Sequence, residues 1–537
     1  MHGSRRGFLM GTVAAVCLAG VLATGAASQQ RAPTATPTAA PPAFSRTDCR
    51  QHLPAGWVAA ENRRPGSSAW IIPAGLPKPV ATGYASASTA VCGQVVSLFV
   101  QSAAPYRLQV WRMGYYGGSG ARRVWQSGLL PARHQVTRLG PGEAANWAVT
   151  TRVWVRPSYP PGMYLVKLVP VSGTPSFIPL AVRSGYRPAP GAVAGDGAAL
   201  VQLDTHTWQA YNRWGGADAY HGRADTTAGR LTVMSYARPY RGDGTAGFGD
   251  GQFLQRDRGV VLALERAGID TVVTTDEDVG LHPWLLDGAR VVILGGHAEY
   301  QTPQIFDRYT ARVAAGMNLV NLGPDALYWR VRPGPNRTYV VAKSRALDAS
   351  APTPRQTTVR FRDAPAATPE AGLLGGQFDC LRVKHVDARV VDASRWPCPG
   401  TGATSGMTLG GVVQQETDRY VDGISPARTE VLAHAEFECP GHHDVITAWD
   451  LVYTAAPGQG GVFSVGTMGW MCALEGSCPA ALEPLDTQAV ITAATLNVIR
   501  AALAGPLGNT HPSAGNAAQV YIVPFADLGK GVGQADD

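Results

Sequence analysis

The spacing of apolar and polar positions changes once along this chain. Between Thr82 and Arg183 the pattern has period two: residues 95–101 alternate around Leu98 and Val100, residues 108–113 around Val110, and residues 164–169 form a β-branched and aromatic run entered through Pro160-Pro161-Gly162. Short strands closed by turn residues predict an antiparallel β-sandwich over 80–185. Beyond a Pro/Gly/Ala linker the period lengthens. Residues 199–203, 231–234 and 271–274 read as strands, and residues 252–267 as a helix with Phe253, Leu254, Val260, Val261 and Leu264 on one face and Gly268 at its end. Val291-Val292-Ile293-Leu294 reads as a strand buried on both faces, with Gly295-Gly296 at its exit. Thr302-Pro303 is an N-cap followed by proline at the first helical position, leading a helix to Ala315, and 319–322 is the next strand. Alternating strand and helix predicts a doubly wound, mostly parallel α/β domain over 198–505. It is completed by a strand at 461–465 and a helix at 485–503, interrupted by a loop-rich insertion at about 334–428 of weak periodicity, and followed by a tail at 506–537.

Composition adds the compartment. At 537 residues the chain exceeds one ordinary core. Its formal charge of +7 is spread rather than clustered, which argues against a nucleic-acid partner. Residues 1–29 carry Arg5-Arg6 before a moderately apolar run and then small residues, the layout of a twin-arginine-type export signal. Residues 30–79 are a Pro/Thr/Ala-rich tether and irregular lead-in, and no later stretch is long and apolar enough to span a bilayer. The expected location is secreted or in the cell envelope. An oxidising compartment favours disulfides. Proximity pairs Cys49 with Cys92, Cys380 with Cys398 and Cys472 with Cys478, leaving Cys439 over, although sequence does not fix connectivity.

Candidate chemistry begins at the strand exit. His297 and Glu299 stand two positions apart, so an extended loop turns both to one site, and open α/β sheets bind ligands beyond the carboxyl ends of their strands. Each also has an ordinary reading, His297 as a loop histidine and Glu299 as an acidic residue near the helix at Pro303. Tyr115-Tyr116-Gly117-Gly118 offers rings for a sugar to stack on, or simply packs a hairpin against a neighbouring domain. His434 with Cys439-Pro440-Gly441-His442-His443 offers either a metal loop or a disulfide-edged turn. The Gly-x-Ser-x-Gly elbow of α/β serine hydrolases is missing from the sequence.

Six motifs recur in an order that resembles a family. They are Trp111-Arg112-Met113-Gly114-Tyr115-Tyr116-Gly117-Gly118, Pro161-Gly162-Met163-Tyr164, Ala210-Tyr211-Asn212-Arg213-Trp214-Gly215-Gly216, Ser235-Tyr236-Ala237-Arg238-Pro239-Tyr240, Gly296-His297-Ala298-Glu299-Tyr300 and Tyr328-Trp329-Arg330-Val331-Arg332. Together they resemble the large (beta) subunit of N,N-dimethylformamidase and its relatives, over about residues 80 to 505. The resemblance implies a mononuclear iron (Fe3+) site held by Tyr211, Tyr220 and Glu299, with His297 beside it moving protons. Phenolate and carboxylate are hard donors suited to ferric iron, whereas a structural zinc site favours Cys and His. Asp325 stands in the strand-end loop where relatives commonly have Asn, and Gln301 where a tryptophan often follows Glu-Tyr.

The function expected on this basis is metal-dependent hydrolysis of a carbon-nitrogen amide bond in a small molecule, by an oligomer or with a small partner subunit. Asp325 is the candidate second catalytic group. The alternatives are a non-catalytic cell-envelope or carbohydrate-binding protein on the same scaffold, and a zinc hydrolase using His297, Glu299 and the His442-His443 loop.

Overall fold

The structure is a computed structural model that describes residues 46–185, 197–242, 249–440, 445–476 and 487–521. The export signal, the tether up to residue 45, most of the linker, His442-His443 and Cys478 lie outside the described residues.

Two sheets build the first part. One has three strands, Ala81–Ala85, Val95–Ser102 and Thr151–Trp154. The other has five, Thr89–Val91, Ser176–Arg183, Gly162–Pro170, Tyr106–Met113 and Ala121–Gln126. Period-two alternation turns Val96, Leu98 and Val100 of one, and Leu108, Val110, Val166 and Leu168 of the other, into a shared core. The opposite face of the larger sheet, with Trp111, Met163, Leu165 and Phe177, joins a second core together with Val201, Leu203 and Val260. Across that contact Arg112 and Glu265 form an ion pair of 2.6 Å with both side chains buried, and Arg112 also donates to the Tyr116 hydroxyl at 2.9 Å. Tyr116 is itself buried and donates to Glu61 at 2.9 Å. Its ring therefore packs the hairpin against its neighbours and offers no exposed stacking face.

A nine-stranded sheet forms the remainder. Thr271–Thr275, Ala199–Leu203, Val291–Leu294, Asn318–Asn321 and Gly461–Ser464 run parallel in that spatial order. Helices cover both faces. Val291 and Ile293 pack with residues of the helices Arg258–Arg266 and Gln488–Ala504, whereas Val292 and Leu294 pack with Ile305, Phe306 and Tyr309 of the helix Pro303–Ala314. All four side chains of Val291–Leu294 are inaccessible. At about 1.5–3 kcal/mol each, their burial anchors the strand end from which the site departs. Thr302 caps the helix after it, its side chain accepting from the Ile305 N–H.

The other half of the sheet departs from expectation. Ile446–Ala455, Glu430–Glu438, Gln377–Val390 and Thr408–Arg419 continue it with antiparallel pairing, so the sheet is mixed rather than mostly parallel. The tract read as a loop-rich insertion thus contributes two long strands. Their pairing shifts register at several points, between Phe378 and Cys380 and between Leu381 and Val383 among others. A bulge moves later side chains to the other face and erases the period-two signal.

One disulfide agrees with the sequence reading and one corrects it. Cys49 bonds Cys92. Cys380 bonds Cys439, while Cys398, its expected partner, is a buried free thiol. From Cys380 the strand runs on to Val390 and carries the chain roughly 30 Å onward at about 3.3 Å per residue. The adjacent antiparallel strand Glu430–Glu438 then brings Cys439 back to within 6.0 Å of Cys380, Cα to Cα. Cys472 is also disulfide-bonded. Among the described residues no helix is long and apolar enough to cross a membrane.

Candidate functional site

The parallel strands reverse their direction of growth between Ala199–Leu203 and Val291–Leu294. From Ala199–Leu203 the chain adds Thr271–Thr275 on one side, then returns to add Val291–Leu294 on the other. Open α/β sheets form a crevice at such a switch point.

Glycines let the strand ends close on one another. A Cβ at Gly295 would collide with the Asp257 and Asp204 carboxylates, and one at Gly323 would collide with the Gly296 backbone. Asp204, directly after its strand, accepts from the His297 N–H at 3.0 Å. The N–H groups of Tyr328 and Trp329 both donate to the Glu299 carbonyl, at 3.0 and 2.9 Å. The short strand Tyr300–Gln301 pairs with Trp329–Arg330. The loop carrying His297 and Glu299 is therefore held along its length. The Gln301 side chain accepts from Gln202 Nε2 at 3.4 Å.

Both tyrosines enter from the loop after Ala199–Leu203. Tyr211 ends the helix Thr205–Ala210, and the N–H of Ala219 folds back onto the Ala210 carbonyl at 2.9 Å, bringing Tyr220 beside it. The Tyr211 hydroxyl donates to that of Tyr220 at 3.2 Å, and the Tyr220 hydroxyl donates to Glu299 Oε1. His297 Nε2 lies 3.3 Å from Glu299 Oε2 and 3.2 Å from Glu416 Oε2, at ion-pair distance but outside hydrogen-bonding geometry. Asp325, with φ of 56°, uses its N–H to reach Asp418 Oδ1 at 2.8 Å. Donor atoms of His297, Glu299 and Asp325 all lie within 4.8 Å of one another. The five residues singled out from the sequence thus meet in one place.

Three further residues belong to it. Glu416 comes from the strand Thr408–Arg419, next to Gln415 in a left-handed conformation. Lys343 places its ammonium 2.9 Å from the centroid of the Tyr220 ring, 4.8 Å from that of Trp329 and 5.2 Å from that of Tyr300. Asp204 is the third. A lone lysine after an apolar strand and an acid within a bulged one carry no sequence signal, whereas an aspartate at the exit of a buried strand could have been singled out as His297 was.

Burial dominates the electrostatics. It raises the Tyr211 and Tyr220 phenols well above their ordinary range, with Glu299 adding to the effect. It likewise raises Glu299 against the pull of His297 and Lys343, and lifts Asp325 well above the carboxylate range, reinforced by Glu299, Glu416 and Asp418. Burial would also raise Glu416, but His297 and Arg256 outweigh it and the net shift is downward. Burial would lower His297, yet Glu416 and Glu299 raise it. Without a ligand the pocket holds neutral phenols beside an imidazole whose proton affinity the neighbouring carboxylates raise.

The phenol-phenol-carboxylate chain suits a hard cation. Ligands about 2.0–2.2 Å from one ion and at right angles stand roughly 3 Å apart, close to the 3.2 Å between the two hydroxyls. An all-oxygen set favours ferric iron over a thiolate-type zinc site. Tyr211 also lines a cavity of about 180 Å³ with Trp208, Asn212, Tyr240, Gln252 and Gln255, room for about six waters.

A buried polar cluster at a switch point, one of whose tyrosines lines a small cavity, is the layout of a small-molecule site in an α/β protein. The family described as N,N-dimethylformamidase beta subunit-like, C-terminal, matches residues 107–482, more than half of the chain, and the chain belongs to that family. The N,N-dimethylformamidase beta subunit of Paracoccus aminophilus is 26% identical over 326 residues, 53% of this chain and 42% of that relative. The N,N-dimethylformamidase beta subunit of an Alcaligenes species is 25% identical over 331 residues, again 53% of this chain and 42% of the relative. The matches span less than half the length of these curated relatives.

Proposed function

We propose that this chain is an exported, metal-dependent hydrolase that splits the carbon-nitrogen bond of a small linear amide. The observation that carries the reading is the convergence of Tyr211, Tyr220 and Glu299 beside His297. Those three oxygen donors would hold a ferric ion, which when bound supplies Lewis-acid polarisation of the amide carbonyl and acidifies water. His297 takes a proton from the attacking water at Nε2 and returns it to the departing amine. Glu416 stabilises the imidazolium formed between those two transfers. The fixed Glu299 backbone holds its carboxylate in register, and the cavity beside Tyr211 would admit a small substrate. An amide and water give an acid and an amine.

The finer architecture is read as a β-sandwich followed by a doubly wound α/β domain with an antiparallel extension. Export by the twin-arginine route rests on Arg5-Arg6 and the small residues after the apolar run. A partner subunit follows from the naming of both relatives as beta subunits. The carbohydrate-binding alternative loses one ring of its proposed platform, since Tyr116 is buried.

Metal analysis of the purified full chain with a visible absorption spectrum tests the reading. Ferric phenolate gives a charge-transfer band, lost with the iron in Tyr211→Phe and Glu299→Ala while the far-UV spectrum is kept. Colourless, iron-free protein from iron-replete cells sinks it. Amide hydrolysis surviving in both variants sinks the mechanism.

A further inference from the structure

Glu299 presents its two oxygens to different neighbours. Oε1 accepts from Tyr220, on the phenol side. Oε2 has no hydrogen-bond partner and lies 3.3 Å from His297 Nε2. On this second side stands Asp325, 5% exposed, whose Oδ1 also lacks a partner. His297 is 2% exposed with neither ring nitrogen hydrogen-bonded. Glu416 Oε2, unpartnered as well, flanks the imidazole at 3.2 Å. Buried polar atoms left without hydrogen bonds are costly, at about 1–3 kcal/mol each, unless something is bound among them.

Charge points to what that is. Glu299, Glu416, Asp325 and Asp418 lie around the same few ångströms, and the basic groups facing them are His297, Lys343, Arg256 and Arg362. Arg362 is already engaged by Glu370, and Lys343 faces the tyrosine rings. Arg256 faces Glu416, which leaves His297 as the basic group on the Glu299 and Asp325 side. Its donor set of one imidazole nitrogen and two carboxylate oxygens suits a divalent transition-metal ion such as zinc or manganese. Donors about 2.2 Å from a common ion stand at most about 4.4 Å apart, so the 4.8 Å observed needs a contraction of only a few tenths of an ångström.

We propose that His297, Asp325 and Oε2 of Glu299 form a second cation site, which shares Glu299 with the phenolate site and makes the centre of this chain binuclear. The proposal rests on the preceding reading through that shared carboxylate and replaces one part of it, the proton transfer by His297. A bridging carboxylate holds two ions roughly 3.5–4 Å apart, the spacing of two-metal hydrolytic sites. With the second ion bound, His297 Nε2 is a ligand, and proton transfer falls to Glu416. Asp325 decides the matter: an amide at this position would offer one neutral oxygen and bring no charge to offset that of the ion.

The test is metal stoichiometry of the full chain, loaded with iron and then titrated with Zn2+ alone and, separately, Mn2+ alone. The wild type is expected to bind about two ions per chain and to keep its charge-transfer band. Asp325→Asn, isosteric and tolerant of the left-handed backbone at this residue, is expected to drop to about one ion with the band retained. Tyr211→Phe should lose the band yet still take up Zn2+. Asp325→Ala carries the same expectation should the asparagine amide oxygen act as a weak ligand. One ion per chain in the wild type with the band present, or two ions in both Asp325 variants, overturns the second site. A wild type without the band whose Zn2+ binding depends on Asp325 instead sinks the ferric reading and leaves this cation site standing.

Discussion

Lys343 holds its ammonium 2.9 Å from the centroid of the Tyr220 ring, buried and with no hydrogen-bond partner. A cation over an aromatic face gains about 2 kcal/mol when desolvated, less than the several kcal/mol it loses by leaving water. Burial accordingly lowers its pKa well below the lysine range. Lys343→Met fills the same space without a charge. The metal-free variant should be more stable than the wild type by about 1–3 kcal/mol, as thermal unfolding would show. A lower melting temperature would mean that the ammonium is held favourably.

Glu416 raises the proton affinity of His297. If the imidazole is the base, Glu416→Gln should move the acid limb of the pH-activity profile to lower pH and reduce turnover about 10- to 100-fold, the usual cost of losing an orienting partner. An unchanged acid limb would assign the proton transfer elsewhere.

Arg112 and Glu265 join the five-stranded sheet to the helix Arg258–Arg266. Arg112→Met leaves a carboxylate buried without its partner and should cost about 3–5 kcal/mol in urea unfolding. Adding Glu265→Leu should recover most of the loss. Two independent, additive losses would show that the pair is not coupled.

Lys167 donates to the carbonyls of Ala69 and Ile71, and burial lowers its pKa to about 8. Between that value and the unfolded 10.5 the unfolded chain binds more protons, so the stability of the folded chain rises with pH. The slope is about 1.4 kcal/mol per pH unit across that window. Below pH 8 both states are protonated and the contribution is flat. Stability measured from pH 7 to 10.5 in Lys167→Met should lack this rise.

Sequence legibility followed local signal strength. Four aliphatic residues and two glycines marked the strand end at His297 and Glu299, and the Thr302-Pro303 cap marked the helix behind it. The tyrosines were legible only through motif order, because an isolated tyrosine looks the same at a metal and in a core. Glu416 was invisible because bulges scramble the alternation of its strand, and the Cys380–Cys439 bond because pairing follows strand adjacency, not proximity in sequence. The nine-stranded sheet was half legible for the same reason: its parallel strands repeat with helices between them, and its antiparallel ones do not.

The antiparallel half of the sheet also sets a clock. Tyr211, His297, Glu299 and Asp325 leave the ribosome well before Glu416, which rides on one of the last strands to be made. Since contacts between distant positions form late and slowly, a partly synthesised chain carries the phenol and carboxylate side chains before the group that steadies His297. The strands that link Thr408–Arg419 to the parallel half, Glu430–Glu438, Ile446–Ala455 and Gly461–Ser464, come later still, so Glu416 reaches its place beside His297 only once more than four-fifths of the chain exists.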